Sequence, residues 1–341
     1  RIIAKDFGLI MKNKDAKPIK IKEEDLYFSY HAGISIYPDN FKNSELTSTE
    51  SLLRYAEIAM SAARKKGFNK YIFYSEDINT SMLTIFHLEN ELKRALTDNK
   101  LELLLQPQAD LKSNKLRGFE ALIRWQRENG QIESPGTFIP ILEKSGLIVT
   151  VGDWILREAC AQGMALIKQG IEFDTLSVNI SVLQLQSESF IDRMTHILDS
   201  AEFPYEKFEI EVTESILFEV PDKIINVLKE IRSKNIKIAL DDFGTGFSSL
   251  SYLKILPIDY LKIDKSFVNE LQTSGDSRLL TAILAIAKSM NLSSIVEGVE
   301  SQEQVDFLRA TSCDIIQGYY VSKALNLSEV IRLYNNKTSI I

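Results

Sequence analysis

The chain has 341 residues, 45% hydrophobic and 26% charged, with a formal net charge of −7. It is long enough to bury a large core in about two domains, but no apolar run reaches the roughly 18 residues of a membrane span and no signal peptide is visible. The acidic balance argues against a basic nucleic-acid groove, and Cys160 and Cys313 make no disulfide framework, reading as buried small hydrophobes in a reducing, cytoplasmic setting.

The chain opens on Arg1 rather than methionine and without a recognisable domain start, as expected of a piece of a longer protein. The lysine-rich residues 12–22 read as a solvated face. A strand is expected around residues 27–37, then a helix over 49–66 that buries Leu52, Leu53, Ala56, Ala59, Met60 and Ala63 and stops at Gly67. A second strand follows at 71–74. Helical spacing over 80–97, carried by Leu83, Phe86, Leu92, Ala95 and Leu96, marks either a domain linker or the first helix of the next domain. The expected division is 1–79 and 80–341.

Eight strand-like runs follow, at 101–106, 116–124, 175–180, 208–213, 236–241, 259–263, 293–297 and 314–317. In Phe208-Glu209-Ile210-Glu211-Val212-Thr213 apolar and polar residues alternate, so one face is greasy and the other carries acids. Helical spacing separates the later runs, as in 222–233, where Ile224, Ile225, Leu228 and Ile231 recur three and four apart. Strand then helix, repeated, means a mostly parallel sheet, and eight strands in about 240 residues match a closed α/β barrel of the TIM (β/α)8 type. Residues 107–115 are too few for a crossover helix, so the first strand should run antiparallel to the second.

Glu120, Asn179, Glu211, Asp241, Asp242 and Glu297 fall at the ends of these runs and converge on one barrel mouth. Carboxylates about 5 Å apart repel by roughly 3 kcal/mol per pair at an effective dielectric of 20, so such a cluster calls for cations. Oxygen ligands suit hard ions, magnesium or manganese, which would also reverse the local sign for an anionic substrate. Lys262 has the charge to orient a water or steady a phosphate, or to serve as an ordinary interior ion-pair partner. Arg124 lies four residues beyond Glu120 on the same strand face and carries a planar fork for phosphate oxygens. The glycine-rich residues 241–250, with Gly244 and Gly246, form either a functional loop or a tight turn with a helix cap. Glu209, two residues deeper than Glu211, reads as a hydrogen-bonded interior acid, and Asp264 as structural. His31, His87 and His196 sit outside every motif, and Trp125 and Trp154 read as packing, with Trp125 bordering the mouth.

Glu120-Ala121-Leu122 with Ile123-Arg124-Trp125 resembles the signature of the EAL family of cyclic di-GMP phosphodiesterases. The resemblance runs from Leu101 to Ala324 through Gln106-Pro107, Val178-Asn179-Ile180-Ser181, Glu211-Val212-Thr213-Glu214, Asp241-Asp242-Phe243-Gly244-Thr245-Gly246, Lys262-Ile263-Asp264, Glu297-Gly298-Val299-Glu300 and Gln317-Gly318-Tyr319. Gly33-Ile34-Ser35-Ile36-Tyr37-Pro38, Ala56-Glu57-Ile58-Ala59-Met60 and Gly67-Phe68-Asn69 resemble the C-terminal part of a GGDEF (diguanylate cyclase) domain. Its GTP-binding signature loop is absent, which implies that this chain does not run that synthesis.

The EAL resemblance implies two ions, one held by Glu120, Asn179, Glu211 and Asp241 and the other by Asp241, Asp242 and Glu297. It implies catalytic roles for Glu297 as general base, Lys262 and Glu120. Gln106 would contact guanine, and Arg124, Asp242 and Gln317 would complete the substrate site, with Gln317 also supporting the metal ligands. Glu214 would anchor the loop that couples dimer contacts to metal binding. The implied product is linear pGpG and the implied assembly a homodimer through the barrel. A non-catalytic cyclic di-GMP receptor is the alternative, and a docking scaffold a third reading; the filled ligand positions favour catalysis.

Overall fold

The structure is a computed structural model that describes residues 19–21, 24–26, 30–37, 49–65, 70–214, 221–244, 253–274 and 277–334. Most of the lysine-rich stretch, Pro38, Gly67-Phe68-Asn69 and residues 245–250 of the glycine-rich loop lie outside these. The chain divides into two compact units, Arg1–Asn90 and Glu91–Ile341.

In the first unit β1 (Ile19–Ile21) and β2 (Glu24–Leu26) pair antiparallel. Strands β3 (His31–Ile34) and β4 (Lys70–Phe73) pair in parallel, and α1 (Thr49–Lys65) supplies the crossover that parallel pairing requires. Ala59 and Ala63 of α1 are fully buried. Leu53, expected in the same stripe, is 62% exposed, because it shares its helix face with the exposed Glu57 four residues on. Helix α2 (Glu76–Thr97) starts four residues before the expected 80, and the division between units falls within it.

The second unit opens with β5 (Leu101–Asp110), β6 (Leu116–Gln126) and the short β7 (Ile132–Glu133), which pairs on the outer end of β6. Helices α3 (Pro135–Ser145) and α4 (Ile148–Lys168) lead to β8 (Thr175–Asn179). Then α5 (Val182–Gln186) and α6 (Phe190–Ser200) lead to β9 (Phe208–Thr213), and α7 (Pro221–Ser233) to β10 (Lys237–Phe243). Strand β11 (Tyr260–Ile263) is followed by α8 (Lys265–Ser274) and α9 (Arg278–Ser289), β12 (Ser293–Val296) by α10 (Gln302–Ala310), and β13 (Ile315–Gln317) by α11 (Leu327–Tyr334).

Strands β6, β8, β9, β10, β11, β12 and β13 are parallel neighbours in that order, and β5 closes the ring by pairing antiparallel with both β6 and β13. The barrel therefore has eight strands, with the first antiparallel as its short connection requires. Asp110 shapes that connection, its Oδ1 accepting from the backbone N–H groups of Lys112 and Ser113. Strand β5 runs four residues past its expected end and contains Pro107. The missing donor is tolerated because Pro107 falls between Leu105, bridged to Leu325, and Gln108, where pairing with β13 begins.

Phe208, Ile210 and Val212 of β9 are buried, as are Ile224, Leu228 and Ile231 of α7, while the alternate residues Glu209 and Glu211 are buried too. Acids at zero exposure on the second face of a strand mean that the barrel interior is polar, which is where its chemistry lies.

Candidate active site

Every barrel strand contributes to one cluster near the C-terminal ends of the parallel strands. Gln106 of β5 stands opposite Glu120 of β6 in the ladder, and Asn179 ends β8 opposite Glu211 of β9. Asp241 comes from β10 and Lys262 from β11, Glu297 follows β12 directly, and Gln317 ends β13. Two capping boxes pin the chain just past the ligand positions. Ser181 with Gln184 starts α5 two residues after Asn179, and Ser301 with Gln304 starts α10 four residues after Glu297.

The ammonium of Lys262 is the centre. Its Nζ lies 2.5 Å from Glu211 Oε2, 2.7 Å from Glu297 Oε1, 3.1 Å from Asp241 Oδ1 and 3.5 Å from Glu120 Oε2. Glu120 is further held by Asn179 Nδ2 on Oε1 at 2.7 Å and Gln317 Nε2 on Oε2 at 2.6 Å. Lys262 and Glu211 are wholly buried, and Glu297 is the most open, its side chain 21% exposed.

Four carboxylates face one ammonium, so the cluster carries a surplus of three negative charges when all are ionised. The proton equilibria answer that surplus. Burial and the Glu120 carboxylate raise Glu211 well above the ordinary carboxylate range, and burial, only partly offset by Lys262, pushes Glu297 up to about 7. Burial would raise Glu120 as well, but Lys262 and the bonds from Gln317 and Asn179 hold it below its usual value. Burial would lower Lys262, and the surrounding acids outweigh it and raise it instead. Glu211 Oε1 is buried with no hydrogen-bond partner.

Asp241 and Asp242 are adjacent in β10, and in a regular strand their side chains would point to opposite faces. The register of β10 against β11 shifts between Leu240 and Phe243, and Asp242 adopts φ +56°. This bulge, in a conformation that aspartate tolerates better than most residues, turns both carboxylates to one side. Oxygens of Asp241, Asp242 and Glu297 lie within 4.8 Å of one another, a spacing suited to holding a cation. Gly244 continues the turn at φ +96°, and its N–H donates to Glu214 Oε2 at 3.0 Å. Glu214 is buried and its own N–H donates to the Asp241 carbonyl, so it ties the start of the loop to the acid bearing strand. After Glu297, Gly298 takes φ +67° with Lys265 packed where a Cβ would stand.

Arg124 is not drawn into the cluster, and its Nη1 donates to the Ile123 carbonyl at 2.9 Å. Glu209 lies deeper, bonded through both oxygens to Arg117. Trp125 is fully buried and packs edge-to-face on Phe138. Gln108 and Arg117 escaped the sequence reading. Gln108 carries a signal in hindsight, since it follows Gln106 by two in a strand and shares its face, whereas Arg117 gave none beyond a charge in an apolar run.

A family model described as the EAL domain matches residues 89–324. Signaling protein YkoW of Bacillus subtilis is 37% identical over 313 residues, 92% of this chain and 38% of that protein. Cyclic di-GMP phosphodiesterase NbdA of Pseudomonas aeruginosa is 34% identical over 328 residues, 95% of this chain and 41% of that protein. Among solved structures, the PaMucR phosphodiesterase in complex with c-di-GMP superposes with a TM-score of 0.68 at 35% identity, covering 72% of this chain and 99% of that one. The chain spans less than half the length of the curated relatives it matches here.

Proposed function

The chain belongs to the EAL domain family, and from that premise we propose that its barrel hydrolyses cyclic di-GMP to linear pGpG with divalent cations held at the mouth. The carrying observation is the surplus of acid around Lys262, joined by the Asp241, Asp242 and Glu297 oxygens within 4.8 Å. The donor set fits a hard cation. It is all oxygen, it is over-charged, and Glu211 Oε1 is buried without a partner.

Two ions, magnesium or manganese, would be held by Glu120, Asn179, Glu211 and Asp241 and by Asp241, Asp242 and Glu297. When bound, such ions neutralise the surplus charge, acidify water and stabilise charge on phosphoryl oxygens. Glu297, at the open side of the cluster, takes the proton of the attacking water. The water oxygen bonds to phosphorus, one phosphodiester P–O bond breaks, and the released sugar oxygen takes a proton from solvent while Glu297 gives its own back to solvent, leaving the second linkage intact. Lys262 keeps the four carboxylates in register and counters phosphate charge. Gln317 and Asn179 orient Glu120, Gln106 meets guanine, Arg124 turns its fork to a phosphate, and Asp242 lines the substrate side.

Incubation with cyclic di-GMP and either ion, followed by chromatography, tests this. Linear product that requires the ion and vanishes in Glu120→Ala supports hydrolysis; tight binding without product supports a receptor instead. Residues 1–79 belong, on this reading, to the C-terminal portion of a GGDEF-like domain and 80–341 to the barrel, and a homodimer through the barrel in the cytoplasm is the expected assembly, checked by light scattering. Among the described residues no helix is long and apolar enough to cross a membrane.

A further inference from the structure

Beneath the acids a chain of side-chain amides ends on an arginine. Arg117 Nη1 donates to Gln108 Oε1, and Gln108 Nε2 donates to Gln317 Oε1 at 2.8 Å. Gln317 Nε2 donates to Glu120 Oε2 at 2.6 Å and to Gln106 Oε1 at 3.2 Å, and Gln106 Nε2 donates to the Ser322 carbonyl at 3.3 Å. Arg117, Gln108 and Gln317 are each under 5% exposed, so the links among these three are shut off from bulk water.

A glutamine amide has nearly the same shape in either orientation, so its direction is decided by its partners. A guanidinium only donates, so the Gln108 atom facing Arg117 has to be the carbonyl oxygen, and its far end is then the NH2. That forces the carbonyl of Gln317 toward Gln108 and its NH2 toward Glu120 and Gln106. The opposite ends agree, because a carboxylate and a backbone carbonyl only accept. Arg117 cannot swing away: both Glu209 oxygens hold it and its guanidinium lies 4.3 Å from the centre of the Tyr260 ring.

We infer that Arg117 and Gln108, which touch none of the mouth acids, are positioning residues that impose the amide direction of Gln317 and Gln106. They guarantee that Glu120 Oε2 receives an N–H and that Gln106 turns its NH2 toward Ser322. The consequence for catalysis rests on the phosphodiesterase reading; the relay itself does not.

Gln108→Glu separates the relay from packing. The substitution keeps the shape and keeps an acceptor for Arg117, but it offers no N–H, so Gln317 has to turn and present its carbonyl to Glu120. In EDTA the melting temperature is expected to fall by about 3–6 °C. Adding Glu120→Gln restores most of that loss, because the amide introduced at position 120 donates to the turned carbonyl. Single shifts that simply add in the double variant overturn the relay. Gln108→Met provides a second check, since it removes the N–H without reversing polarity. The relay ranks Gln108→Glu below Gln108→Met, whereas a filler role ranks them the other way, methionine leaving Arg117 unmet. With manganese, half-saturation of the wild-type melting shift is expected to rise about tenfold in Gln108→Glu. Absence of any manganese shift in the wild type counts against the proposed function, while the EDTA cycle still decides the relay.

Discussion

Two buried charge clusters share one barrel and differ in their balance. The deeper sets Arg117 against Glu209, one charge on each side, with the guanidinium also spread over Gln108 and Tyr260. Burial would lower Arg117, but the adjoining Glu209 holds it raised, and one partner of each sign leaves no charge to be met from outside. The upper sets Lys262 against four acids and answers the excess by pushing Glu211 and Glu297 toward protonation. Buried charge alone is therefore a poor marker of function. Unbalanced buried charge is the marker, because it can be relieved only by protons or cations.

The largest expected effect falls on the unbalanced cluster. Glu297→Gln should lower the rate of cyclic di-GMP hydrolysis by about 10²–10⁴, with substrate affinity measured by calorimetry little changed. A rate near wild type removes Glu297 as the base.

Next comes the balanced pair. Arg117→Ala strands a buried carboxylate and should cost about 3–5 kcal/mol in urea unfolding in EDTA, and no less in manganese. Lys262→Met should cost less in manganese than in EDTA, since a cation can replace the lost charge. Equal losses for Lys262→Met under the two conditions would break the contrast between the clusters.

A smaller effect follows from the raised carboxyls. Glu297, at about 7 when folded against an ordinary 4.5, binds its proton more tightly in the folded chain. The stability it contributes in the cation-free protein is thus full below about 4.5 and is lost as pH rises to about 7. Manganese should consequently raise the melting temperature more at pH 8 than at pH 5. A gain that is flat with pH, or larger at pH 5, contradicts the charge-surplus account.

The smallest effect concerns neutral buried groups. Burial raises Cys160 and Cys313 to about 12, so neither thiolate forms near neutrality. A thiol reagent applied to the folded protein should leave hydrolysis unchanged, and mass spectrometry should find both thiols unmodified until denaturant is added.

Much of the barrel was legible beforehand. Alternation in Phe208–Thr213 marked an acid-bearing inner face, and the short segment after β5 required an antiparallel first strand. Strand limits were less so. The first run was expected to end at 106, yet β5 continues through Pro107, whose missing donor meets a gap in the neighbouring ladder. In α1, Leu53 looked like core and lies exposed, because a stripe of alanines one step around the helix faces inward instead. At the site the acids were visible on the strands, although Glu120 lies in the middle of β6 rather than at its end, and the aspartate bulge was not visible, since Asp241-Asp242 reads as ordinary alternation until a pairing shift and a positive φ turn both to one side.

The amino-acid order by itself determined the barrel, the direction of its first strand and which side chains stand at its mouth. Those follow from period-two patterning, connection lengths and residue identity, all of which are local. Only the tertiary structure decided how four acids share one lysine and which way each buried amide points. Those depend on contacts between positions as far apart as the 51 residues from Glu211 to Lys262 and the 211 from Gln106 to Gln317, and no local pattern encodes the distance or polarity of groups that meet only when the ring of strands has closed.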